Sequence, residues 1–186
     1  MEFHLYYRGK LKGNGSVQDK HDIRCFLHRQ LKNLWEQKPL TDYKDMLSTS
    51  YLPENPPFLR HISGHPFVPL VNERVYLVSD INITMLRPEE PGAIITQSGD
   101  IDNRLKTLLD ALRVPKNTME LPTNFSPSTD ETPFYCLLED DNLIANLSIK
   151  TGRLLEPVAS SIEVLLVIHV FLKTTRATID YFALGI

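Results

Sequence analysis

Residues 161–173 give the strongest strand signal in this chain and set the main constraint on its fold. Residues 164–172 form an apolar run that only His169 interrupts. Because both faces of this run are apolar, it is typical of a strand inside a sheet, and we expect His169 to be a hydrogen-bonded core residue. The run is too short to cross a bilayer. We therefore expect a sheet in which this segment is an internal strand, and we expect the rest of the chain to cover the apolar faces of that sheet.

The length and composition favour a single domain with two long loops. The chain has 186 residues, of which 42% are hydrophobic and 23% are charged, so it can bury a sizeable core. We expect one domain over residues 1–186. Prolines and polar residues concentrate in two stretches, at about residues 39–70 and 114–133. Both are therefore predicted to be loops.

Hydrophobic periodicity predicts the order of the elements. Strand patterns cover residues 2–8, 75–85, 134–138, 143–149 and 161–173, and helix patterns cover residues 19–37 and about 102–112. The order is strand, helix, strand, helix, strand, strand, strand. The fold class expected from this order is α+β, a two-layer sandwich in which two main helices lie on one face of a mixed β-sheet.

Charge is distributed unevenly, and this limits the partners that the chain can bind. The net charge of -3 argues against a broadly basic surface, so any nucleic acid must be met by a local patch or through cations. Residues 1–32 carry seven basic and three acidic residues, which also fits an ordinary solvated face. Residues 88–141 carry eleven acidic and four basic residues. Clustered carboxylates repel one another unless cations compensate them.

The cysteines and the first residues indicate the compartment. Cys25 and Cys136 are far apart in the sequence and each lies in an apolar stretch, so neither a disulfide framework nor a thiolate zinc site is expected. The first residues lack the pattern of a secretory signal. We expect a soluble cytoplasmic protein with no membrane partner.

Two acidic clusters carry the chemistry that the sequence suggests. Asp100 and Asp102 precede a helix, and in an extended segment their side chains would project to the same side. A third carboxylate could come from Asp140 or Asp141, at the start of a later strand. Mg²⁺ prefers carboxylate oxygens and keeps coordination positions open for phosphate. Lys106, one helical turn after Asp102, could stabilise charge that develops on an oxygen.

An ordinary structural interpretation competes with this one. Asp-x-Asp-Asn before a helix is common in helix capping, and Glu-Asp-Asp at the start of a strand is common in turns. The combination with Lys106 favours a metal site over each cluster taken alone. Spacing by itself leaves the two interpretations about equal.

The same residues resemble a known family. The sequence Asp-Ile-Asp-Asn-Arg-Leu-Lys at residues 100–106 is followed by Asp-Ala-Leu at 110–112 and by Asp-Asp at 140–141. This pattern is similar to the signature of RusA-type Holliday junction resolvases, also called crossover junction endodeoxyribonucleases. The order of elements agrees over most of the chain.

The resemblance implies a function and a set of site residues. It implies a homodimeric endodeoxyribonuclease that resolves Holliday junctions or other branched DNA, with Mg²⁺ as its cofactor and Mn²⁺ as an alternative. The catalytic residues would be Asp100, Asp102, Lys106 and Asp141. The metal-binding residues would be Asp100, Asp102 and Asp141, with Asp140 as a further member. The substrate-binding residues would be Asn103, Arg104 and Lys106.

Departures from the family pattern leave alternatives open. Residues 95–99 lack the basic side chains that often precede the first aspartate in the family, and both predicted loops are longer than usual. One alternative is a catalytically inactive module that binds nucleic acid or protein. Another is a nuclease for flaps or replication forks, with the long loops selecting the substrate.

Overall fold

A computed structural model describes residues 1–47, 58–89 and 101–176 of the chain. It has seven strands and two α-helices in these ranges, which confirms the expected α+β class. The elements, in chain order, are β1 (Glu2–Lys10), α1 (Val17–Trp35), β2 (Arg60–Ile62), β3 (His65–Val71), β4 (Leu77–Arg87), α2 (Ile101–Leu112), β5 (Phe134–Leu138), β6 (Ile144–Arg153) and β7 (Glu163–Thr174).

The larger sheet has four strands in the order β1-β7-β4-β6. Strand β7 runs antiparallel to both β1 and β4, while β6 runs parallel to β4. The sheet is therefore mixed, as expected. The apolar segment near the end of the chain is an internal strand of this sheet, which confirms the position predicted for it.

Only one face of this sheet is covered by the two helices. The inward side chains of β7 are buried together with those of β1 and β4 and with the apolar faces of α1 and α2. On the opposite face, Val167 and His169 retain solvent exposure. The prediction that His169 is a core residue is therefore wrong. The buried apolar side chains come from the residues on either side of His169, Ile168 and Val170, which face the helices.

Helix α1 begins at a capping box and packs through an apolar stripe. The Ser16 hydroxyl accepts a hydrogen bond from the Asp19 amide, and the Asp19 carboxylate accepts one from the Ser16 amide. Ile23, Leu27, Leu31 and Trp35 are buried at steps of four residues. Among the described helices, none is long and apolar enough to span a membrane.

A second sheet lies where the first long loop was expected. Strands β2, β3 and β5 form a three-stranded sheet in which β3 runs parallel to β5. The prediction of a loop over residues 39–70 is therefore wrong for β2 and β3, and residues 40–47 form a 3-10 helix. Strand β3 contains Pro66 and Pro69. In the part of the chain that the structure describes, β2 pairs only with the first three residues of β3. Pro69 therefore pairs with β5 alone there, and such a position tolerates proline.

The second predicted loop agrees with the structure. Residues 114–133 contain only two short 3-10 turns, Thr118–Glu120 and Thr129–Glu131. Glu120 forms an ion pair with Arg113 at 2.8 Å, and Asp130 forms an ion pair with Lys32 of α1. One turn of this loop is therefore held to the residue that follows α2, and the other turn is held to α1.

Candidate functional site

Asp102 and Lys106 share one exposed face at the start of α2. The helix begins at Ile101, so Asp102 lies in its first turn and Lys106 follows four residues later. Side chains at this spacing are neighbours on a helix surface, and a carboxylate in the first turn interacts favourably with the helix dipole. Both side chains are exposed. In the described part of the chain, neither forms an ion pair with another residue.

Asp102 lies in a helix and not in the extended segment expected for Asp100 and Asp102. The chain is already helical at Ile101. Alternation of side chains therefore does not apply to Asp102. Asp100 itself lies outside the described residues.

Asn103 and Arg104 occupy different environments from Asp102. Asn103 is half-buried, and its backbone carbonyl accepts a hydrogen bond from the Thr107 hydroxyl at 3.1 Å. Arg104 has no exposed surface, and its Nη2 lies 3.0 Å from Oε1 of Glu89. Arg87, which is also buried, has its Nε 4.0 Å from the other oxygen of Glu89. This placement favours a structural role for Arg104 over the predicted contact with substrate.

The three carboxylates of the second acidic cluster, Glu139, Asp140 and Asp141, have different hydrogen-bond and ion-pair partners. Glu139 follows β5, forms an ion pair with Arg60 and accepts a hydrogen bond from the Glu73 amide at 3.1 Å. Asp140 accepts a hydrogen bond from the Asn142 amide at 3.1 Å and caps a 3-10 turn. Asp141 is the first residue of that turn and is exposed. Its side chain hydrogen-bonds with that of Asp140, and it forms no ion pair among the described residues.

Lys116 is a neighbour of this cluster that the sequence interpretation missed. Its Nζ lies 3.1 Å from Oδ2 of Asp140. Burial opposes ionisation of Asp140, but the Asn142 amide and the Lys116 ammonium outweigh it and lower the pKa of this carboxyl. Lys116 precedes Asp140 by 24 positions across a proline-rich loop. Neither periodicity nor a short motif could have indicated this pairing.

The described residues do not bring three candidate metal ligands together. Within residues 1–47, 58–89 and 101–176, no three His, Cys, Asp or Glu side chains are grouped in a way that could hold a metal ion. The two clusters are anchored at different positions along β4. The start of α2 contacts the end of β4 through Glu89, while the turn at Asp141 leads into Ile144, which pairs with Ser79. Ser79 and Arg87 are about 26 Å apart along the strand.

The donor chemistry of the two clusters nevertheless fits a hard divalent cation. Asp102 and Asp141 offer exposed carboxylate oxygens, the ligand type that Mg²⁺ prefers. Asp140 adds a carboxylate, although it is shared with Lys116. These side chains are thus of the chemical type that binds the predicted cofactor, while Asp100 lies outside the described residues.

Contacts between the helices fix the position of α2. The Gly15 amide donates a hydrogen bond to the Thr107 hydroxyl at 2.9 Å, and a Cβ at Gly15 would lie 2.6 Å from Cγ2 of Thr107. Arg24 of α1 is buried and donates to the Asp110 carbonyl at 2.9 Å. The turn before α1 and the middle of α1 therefore hold the helix that carries Asp102 and Lys106.

Comparisons with protein families and with curated proteins found no match. No protein-family model matches the chain, and no curated protein is significantly similar to it.

Proposed function

We propose that this protein is a magnesium-dependent, structure-specific endodeoxyribonuclease that acts on Holliday junctions or other branched DNA. The observation that carries the proposal is the exposed Asp102 and Lys106 pair at the start of α2. Its sequence context, from the acidic motif to Asp140 and Asp141, resembles the signature of RusA-type resolvases.

The side chains of this site would bind the metal, stabilise charge on the phosphate and orient the substrate. Asp100 and Asp102 would hold Mg²⁺ at the start of α2. Asp141, with Asp140 as a further ligand or as support for it, would offer carboxylate oxygens to Mg²⁺ at the turn before β6. Bound Mg²⁺ supplies Lewis acidity and a water of lowered pKa for phosphodiester hydrolysis. Lys106 would place its ammonium beside the phosphate and stabilise negative charge as it develops. Asn103 would orient the substrate at the same helix start.

The exposure and pairing of these residues support this division. Asp102, Lys106 and Asp141 are exposed, and none of them is tied to an ion-pair partner among the described residues. Lys116 already neutralises part of the charge on Asp140. The unpaired carboxylates would repel one another if they approached without a cation. A divalent ion would remove that repulsion.

A homodimer is part of this proposal. Two copies of the site would be needed to cut two strands of a four-way junction symmetrically. Light scattering on the purified protein should give the mass of two chains in the absence of DNA. A monomer at micromolar concentration would contradict this part of the proposal.

Cleavage of a labelled four-way junction tests the proposal directly. The wild-type protein should cut it with Mg²⁺ and stop when EDTA is added. Asp102→Asn should reduce the rate at least about 100-fold, because it removes a charged ligand while the exposed side chain leaves the fold unchanged. Asp45→Asn is the matched control, since Asp45 is another exposed aspartate. Absence of cleavage on junctions, flaps and forks alike would refute the proposal.

A second candidate is a catalytically inactive module of the same fold that binds nucleic acid or a protein partner. It is favoured by the net charge of -3 and by the absence of basic side chains at residues 95–99, just before the first aspartate of the motif. Isothermal titration with Mg²⁺ and Mn²⁺ distinguishes the two candidates. Tight junction binding by a protein that takes up neither ion would support the inactive module.

A further inference from the structure

The face of the four-stranded sheet opposite the helices carries a hollow of about 380 Å³ above β4. One row of paired residues crosses it, because His4 pairs with His169, His169 pairs with Asn82, and Asn82 pairs with Ser148. Lys150 lies beside this row, two residues after Ser148 on β6, and also lines the hollow. The hollow is thus built by all four strands.

The sizes of the side chains in this row explain the shape of the hollow. His4 and His169 contribute two rings on β1 and β7, whereas Asn82 and Ser148 are short side chains on β4 and β6. Side chains on one face of a sheet stand roughly perpendicular to it, so short residues beside tall ones leave a depression. The walls of this depression are the imidazole of His169 on one side and Lys150 on the other.

The imidazole wall is preorganised for stacking. The rings of His4 and His169 are parallel within 3°, with centroids 4.1 Å apart. Nε2 of His169 lies 2.5 Å from Oε1 of Glu2, which fixes the ring. His4 stacks on one face of the His169 ring, and Phe171, two residues further along β7, lies with its ring centroid 4.2 Å from that of His169 at an angle of 52°. The part of His169 that borders Asn82 lines the hollow. A planar ring placed above Asn82 would continue the stack.

Asn82, Ser148 and Lys150 in the lining fit the polar parts of a nucleotide. The Asn82 amide can donate and accept at the edge of a ring, and the Ser148 hydroxyl can do the same. The Lys150 ammonium has no carboxylate partner among the described residues and is exposed. A planar heterocycle with an attached phosphate would therefore meet a stacking surface, an amide and a cation within one hollow.

We propose that this hollow binds an unpaired nucleotide of a DNA single strand. The base would stack on His169, and its phosphate would contact Lys150. The choice of DNA as the source rests on the proposed function, whereas the match to a nucleotide rests on the hollow alone. Branched DNA offers such nucleotides wherever pairing is interrupted.

Fluorescence anisotropy with a labelled 12-nucleotide DNA single strand tests this inference, in EDTA so that hydrolysis plays no part. The wild-type protein should bind, and His169→Ala should weaken binding about 10-fold, the effect of losing one base-stacking contact. Lys150→Gln should also weaken binding and reduce its salt dependence. The matched controls are His61→Ala and Lys38→Gln, which alter exposed residues outside the hollow and should bind like the wild type.

Three outcomes would overturn the inference. The first is equal binding by the wild type and by folded His169→Ala and Lys150→Gln proteins, with folding checked by circular dichroism. The second is binding of deoxyadenosine monophosphate without binding of the strand, which would make the ligand a free nucleotide. The third is a change of oligomeric state in His169→Ala without a change in DNA binding, which would make this face a contact between copies. Retained strand binding by Asp102→Asn would support the hollow even if junction cleavage failed for every variant.

Discussion

Lys20 of α1 and Asp110 of α2 form an ion pair, with Nζ 2.8 Å from Oδ2. Asp110 also pairs with Arg113, whose Nη2 lies 2.9 Å from its other oxygen. Asp110 belongs to the Asp-Ala-Leu segment that resembles the resolvase signature. In this structure the carboxylate joins the two helices. The segment therefore stabilises the helix that presents Asp102.

Asp110→Asn should destabilise the protein by about 2 kcal/mol at neutral pH, because both charged hydrogen bonds are lost. Burial opposes ionisation of Asp110, but Lys20 and Arg113 outweigh it, so its pKa lies below the ordinary value of 3.8. The folded state thus binds this proton less readily than the unfolded state. The stabilisation is complete above pH 3.8 and is lost as the pH falls through the lower folded pKa. Urea unfolding of both proteins at pH 7 and pH 3 checks this. A difference that grows on acidification would contradict it.

Lys106→Ala should reduce junction cleavage about 100-fold through kcat, with little change in KM. The reason is that a lysine acting on developing charge matters most in the transition state. Because Lys106 is exposed, the thermal stability should stay close to that of the wild type. Lys38→Ala serves as the control for loss of one exposed charge. If Lys106→Ala raised KM and left kcat unchanged, the lysine would be a binding residue only.

Arg104→Ala should reduce stability before it affects DNA binding. Removing the buried guanidinium breaks its pairing with Glu89 and should cost about 3 kcal/mol. For a chain of this length that corresponds to a fall in Tm of roughly 6–12 °C. Differential scanning calorimetry measures it, with Arg29→Ala on the exposed face of α1 as the control. A normal Tm combined with weak DNA binding would restore the predicted role in substrate contact.

The two thiols should react slowly in the folded protein. Burial and the Glu131 carboxylate raise the pKa of Cys25 to about 12, and burial raises the pKa of Cys136 to about 12. At pH 8 the thiolate fraction is then about 1000-fold smaller than for a thiol of ordinary pKa. Reaction with a chromogenic disulfide should be correspondingly slow in buffer and fast in urea. Rapid reaction of one thiol in buffer would show that this thiol is accessible in the folded protein and would contradict the prediction.

Much of the fold could be predicted because its elements have clear periodicity. Strand β4 was expected at residues 75–85 and lies at Leu77–Arg87. Helix α1 was expected from residue 19 and begins at Val17, because Ser16 is the N-cap and Asp19 is the third residue of the helix. Errors of this size arise because caps depend on hydrogen bonds that the apolar pattern does not encode.

Strands β2 and β3 could not be predicted from the same pattern. The prolines at positions 66 and 69 predicted a loop, and only the pairing of β3 with β5, a segment more than 60 residues later, explains the strand. The alternation of apolar and polar residues over 143–149 predicts that Ala145 faces inward, but Ala145 is exposed. A register shift between Ser79 and Asp80 leaves it outside the regular pairing. Both errors come from contacts between distant parts of the chain.

The candidate site was predictable in part. The exposed positions of Asp102 and Lys106 follow from the helical pattern of α2. The burial of Arg104 does not, because an arginine counts as polar in that pattern and becomes buried only when a carboxylate such as Glu89 reaches it. The face of α2 that is buried contains Arg104, Thr107, Leu108, Ala111 and Leu112.

The pairing of β1 with β7 also governs how the chain can reach this fold. In the described part of the chain, β1 pairs with β7 alone. The strand Glu2–Lys10 therefore cannot pair until Glu163–Thr174 has been synthesised. During synthesis on the ribosome the first strand therefore emerges long before its partner exists. Helix α1 can form early from local contacts, but β1 can pair only after Glu163–Thr174 has been made. Such late closure leaves an unpaired strand exposed during synthesis, a state in which binding by a chaperone would favour correct folding.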